Sequence, residues 1–266
     1  EDEILGTCNR LVWGGINTLT SYYSFQGLTD EQLQRINTHV GRCQTMLRGG
    51  HQVADVAVLY PVESVWPNFL PAYHGATDDS AARRVESVFD GVSSTLYAAN
   101  RDFAYVDSLA LSQAKAVDGT LTHGDLRWRV LVLPAADTLP LAAWENVARF
   151  WRQGGAVIAI GTRPANSEVE FASPRVQAIA RELFGTADAP SVVTNPVGGT
   201  GILLPTAMIG LVPRLVDSLF ERDAASAEPQ RHSLPPPLAA SLTGSRSTAS
   251  CASVCAGPWP GSPART

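Results

Sequence analysis

Lysine is almost missing from this sequence. Lys115 stands alone among 20 basic residues, and we read the arginine bias as a habit of the source genome rather than a phosphate-binding device. With 25 acidic residues the formal net charge is −5, which gives no reason to expect nucleic acid or an anionic membrane surface as partner. No stretch approaches the ~20 uninterrupted apolar residues of a spanning helix, so no membrane partner is expected. Methionine occurs only at Met46 and Met208, and the chain opens at Glu1 without a basic-then-apolar leader. We read it as a fragment and assign no compartment.

Cysteine is scarce too. Cys8 and Cys43 fall inside helical patterns, where a buried free thiol is the common outcome. Cys251 and Cys255 are spaced C-x3-C, with no further Cys or His to complete a zinc site. Neither a metal nor a cofactor is expected. The phosphate-loop, nucleophile-elbow and zinc-protease signatures are missing. Gly198-Gly199-Thr200-Gly201 is glycine-rich but does not join a first strand to a following helix, so it reads as a turn between two strands. An amidotransferase-type sheet would need a cysteine at a strand–helix elbow, and none of the four cysteines is so placed.

What is present is an α/β pattern. Apolar content of 45% and charged content of 17% belong to a globular protein long enough for one large core or two modest ones. The pattern turns on residues 53–61, an apolar run opened by Asp55 and closed by Pro61, which reads as a strand buried on both faces. Before it, helical spacing covers 2–13, with Ile4, Leu5, Cys8, Leu11 and Val12 on one face. Residues 16–23 read as a strand rich in β-branched and aromatic residues. Thr29 caps a helix over 30–47 that buries Leu33, Ile36, Val40, Cys43 and Leu47. Helix, strand and helix with no partner strand cannot stand alone, so residues 1–52 read as the last βα unit of a truncated (β/α)8 barrel.

Residues 53–223 continue as a second domain. An irregular aromatic stretch at 62–77 precedes a helix over 78–100, a strand at 103–107 and a short helix near 109–117. Strands follow at 127–134 and 156–161, separated by a helix from Pro140 to Gln153. Pro174 opens another helix, strand signals recur at Val192-Val193 and at 202–204, and an amphipathic helix covers 206–221. Unbroken apolar strands alternating with helices predict a doubly wound, mostly parallel flavodoxin- or amidotransferase-like sheet. From residue 224 to 266 the composition shifts to Ala, Ser, Pro and Gly without periodicity, which predicts a disordered tail. The tail is either a frameshifted reading or a genuine proline-rich linker.

Candidate site residues follow from strand ends. Barrel enzymes place their sites at the carboxyl ends of strands, which selects Tyr22, Tyr23, Phe25 and Gln26: aromatic faces suit sugar rings and an amide can bond hydroxyls. The alternative for two of these aromatics is a core or domain-interface position. Glu63 lies at the carboxyl edge of the second domain, where open α/β sheets bind ligands, and Asp107 and Asp137 share that edge. No carboxylate pair at glycosidase separation can be assigned, so no catalytic residue is named. His74 and His123 sit on loops without a nucleophile partner.

The residues 15–25, the helix end Arg42-Cys43-Gln44-Thr45-Met46-Leu47-Arg48-Gly49-Gly50, and the strand at 53–61 together resemble large bacterial multidomain glycoside hydrolases, specifically the α-L-rhamnosidase-like group of family 106. The later strands at 130–134 and 156–161 resemble the amidotransferase-like domain of those enzymes and of the β-galactosidase trimerisation domain. The resemblance covers about residues 1–222. It implies a carbohydrate substrate, a carboxylate pair on barrel strands outside this chain, and an isolated chain that is inactive. It also implies that the α/β domain is a candidate surface for homo-oligomers. The alternative is a non-catalytic α/β module for oligomerisation or carbohydrate binding.

Overall fold

A computed structural model describes residues 2–13, 15–19, 25–72, 75–76 and 80–220. The described residues fall into two compact units, one running up to Val53 and the other starting at Ala54. The first holds helix α1 (Asp2–Trp13) and helix α2 (Asp30–Leu47). Thr29 caps α2 through a reciprocal pair: its hydroxyl accepts from the Gln32 amide at 3.3 Å, and its own amide donates to Gln32 Oε1 at 2.9 Å. His39 Nε2 lies 2.7 Å from Asn9 Oδ1, tying α2 to α1. Only Ile36 and Cys43 are fully buried in this unit among the described residues, too few to make a core. Leu33, Val40 and Leu47 stay half-buried.

The strand expected over 16–23 is not formed at 16–19, which carry no regular structure. A strand buries its polar backbone only against neighbours, and none is present among the described residues of this unit. Tyr22 and Tyr23 lie outside the described residues, as does the tail from 221 to 266.

The second unit opens with β1 (Val56–Leu59), α3 (Val62–Val65), a 3-10 turn (Trp66–Asn68) and the two-residue strands β2 (Pro71–Ala72) and β3 (Gly75–Ala76). Then come α4 (Ala81–Ala98), β4 (Phe103–Val106), α5 (Ser108–Gln113), β5 (Lys115–Val117), β6 (Thr120–His123), β7 (Leu126–Trp128) and β8 (Val130–Pro134). The chain continues through α6 (Leu141–Arg152), β9 (Ala156–Ile160), α7 (Pro174–Phe184), β10 (Ser191–Thr194), β11 (Thr200–Leu204), a 3-10 turn (Thr206–Leu211) and α8 (Val212–Leu219).

The main sheet runs β10-β11-β9-β8-β1-β4, parallel throughout except for β10. Counted along the chain, the five parallel strands stand in the order 2-1-3-4-5, one of the two common doubly wound orders. Both faces are covered. Ala57, Leu59, Leu131, Leu133, Val157 and Ala159 pack with α5, α6 and α7 in one cluster. By alternation Val56, Val58, Val130, Val132 and Ile158 point to the opposite face, where Val85, Val88, Val92 and Leu96 of α4 and Val212 and Val216 of α8 are buried. Burial on both faces is why these strands are unbroken apolar runs in the sequence.

Several boundaries differ from expectation, each for a local reason. The helix near 109–117 stops at Gln113, where buried Asn146 donates to the carbonyls of Leu111 (2.6 Å) and Ala114 (2.7 Å) and satisfies the helix end. Residues 115–128 then form an antiparallel three-stranded sheet. Its first turn, Asp118-Gly119, has both φ values positive, and its second carries positive φ at Gly124, as type I′ and II′ hairpins require. The strand expected at 127–134 is split at Arg129, because the amides of Arg129 and Val130 both donate to Asp55 O (2.8 and 3.0 Å) and turn the chain into the main sheet. The helix expected over 206–221 begins as a 3-10 turn and becomes α-helical at Val212, beside Pro213, whose missing N–H suits a helix start. The glycine-rich segment is the hairpin between β10 and β11, as expected.

Candidate functional site

The strand order reverses between β1 and β8, so the carboxyl ends of these strands form the switch point where open α/β sheets bind ligands. Four residues meet there. Glu63 and Ser64 follow β1 on α3, Ser108 starts α5 after β4, and Thr138 follows β8. Glu63 Oε1 accepts a short hydrogen bond from the Ser108 hydroxyl. Its Oε2 is buried and has no hydrogen-bond partner among the described residues.

Ser64 closes the crevice. Its side chain is fully buried, accepts from the amides of Asp137 (3.2 Å) and Thr138 (3.1 Å), and donates to the Thr138 carbonyl (3.2 Å). Two converging amides at a strand end would bind an anion or a developing oxyanion. Here an internal hydroxyl fills that place. At the end of β8, Ala135 is held at φ +46, a left-handed conformation unusual for a residue with a Cβ. A nucleophile elbow uses such a turn to present Ser or Cys. This turn presents a methyl group, so the position supplies no nucleophile.

Asp107 and Asp137, selected with Glu63 from the sequence, have structural work. Asp107 caps α5, its Oδ1 accepting from the Ala110 amide at 2.6 Å. Asp137 Oδ1 accepts from the Thr138 hydroxyl at 2.8 Å. Its carbonyl accepts from the amides of Ala165 and Asn166 and so anchors the loop after β9. His123 sits at the β6–β7 hairpin turn, and His74 lies outside the described residues. Phe25 and Gln26 are exposed on a turn of the first unit closed by Leu28 N to Phe25 O at 3.2 Å. Burial raises the thiol pKa of both Cys43 and half-buried Cys8, which keeps them protonated and unreactive. No group of three or more metal-ligating side chains occurs among the described residues.

Sequence reasoning missed Ser64, Ser108 and Ala135. Serine and alanine are common in loops, and only three-dimensional convergence marks these three.

No protein-family model matches the chain, and no curated protein sequence matches it. Among solved structures it is similar to a rhamnosidase from Novosphingobium sp. PP1Y, at 16% identity and a TM-score of 0.40, over 70% of this chain and 16% of that one. It is also similar to Gan42B, a GH42 beta-galactosidase, at 10% identity and a TM-score of 0.48, over 73% of this chain and 34% of that one. A catalytic mutant of Gan42B from G. stearothermophilus gives 12% identity and a TM-score of 0.47, over 76% of this chain and 36% of that one. The chain thus spans between 16% and 36% of the length of these proteins.

Proposed function

We propose that the chain is part of a glycoside hydrolase of the α-L-rhamnosidase-like family 106 type, acting on carbohydrate through a carboxylate pair outside this chain. Residues 1–52 belong to the end of the barrel, residues 53–223 form a flavodoxin- or amidotransferase-like accessory domain, and residues 224–266 are a low-complexity tail. Tyr22, Tyr23, Phe25 and Gln26 line the sugar pocket. The observation that carries this reading is the state of the switch point. Ser64 fills the amide pair that a reacting oxygen would need, and Ala135 stands where a nucleophile would sit. A sheet closed in this way serves an enzyme whose chemistry lies elsewhere. The coding sequence upstream of Glu1 tests it: an in-frame barrel with two strand-end carboxylates is expected, and an upstream region without a barrel would overturn the proposal.

A second reading, a non-catalytic module for oligomerisation or carbohydrate binding, is favoured by the same closed edge when the second unit is considered alone.

A further inference from the structure

We draw no further inference here: the strongest candidate, the open groove between α4 and α8 lined by Ser94, Thr95, Ala98, Arg214 and Asp217, carries nothing, because nothing in the structure shows what covers it and its carboxylate, Asp217, is already paired with buried Arg101 at 3.3 Å.

Discussion

At Gly201 an added methyl would fall on the carbonyl oxygen of Leu183, and at Gly199 on that of Trp151. The glycines after β10 let the hairpin close against the ends of α6 and α7, a packing need rather than a phosphate-binding one. Gly201→Ala should destabilise the protein by about 1–3 kcal/mol in urea unfolding. Ser64→Ala would leave two buried amides and a carbonyl short of a partner. We expect a loss of about 1–3 kcal/mol for it as well, read by the same measurement. Unchanged midpoints in either variant would contradict these assignments. From the chain alone a run of glycines could be placed in a turn, but the carbonyls it approaches come from residues 18 and 48 positions away. Ser64 was hidden for the same reason: its partners lie 73 and 74 residues on.

Between elements, α6 and α7 are joined by a bidentate pair, Arg152 Nε to Glu182 Oε1 at 2.7 Å and Nη2 to Oε2 at 2.5 Å. Hydrogen bonding from Arg152 lowers the Glu182 pKa. A carboxyl depressed in the folded state stabilises it above the unfolded pKa of about 4.3 and loses that contribution as pH falls through its lower folded value. The pair is half-exposed, so its worth is screened to about 1 kcal/mol or less. Glu182→Gln should therefore narrow its stability gap to the parent as pH drops below about 4; a gap independent of pH would argue against the linkage. The central strands are a larger matter. Leu131→Ala, at a fully buried position in β8, should cost about 2–5 kcal/mol. Those strands were legible because burial on both faces leaves continuous apolar runs. The three strands at 115–128 were not, since each is short and only one residue in each is fully buried.

For the whole molecule, alternation of strands and helices revealed an α/β sheet, but the 2-1-3-4-5 order depends on where each crossover packs, which no local pattern records. The first unit shows the opposite balance: its two helices were read closely, whereas the strand between them failed at 16–19, where no neighbour is present among the described residues. Glu63 follows β1 at the carboxyl edge, where Ser64 fills the amide pair of residues 137 and 138 and the left-handed turn after β8 holds Ala135. On the proposed reading the bond-breaking chemistry lies on barrel strands outside this chain. Turnover of aryl rhamnosides and aryl galactosides by the isolated polypeptide measures that claim most directly. The account predicts release of aryl alcohol no faster than in buffer; release that Glu63→Gln abolishes would contradict it.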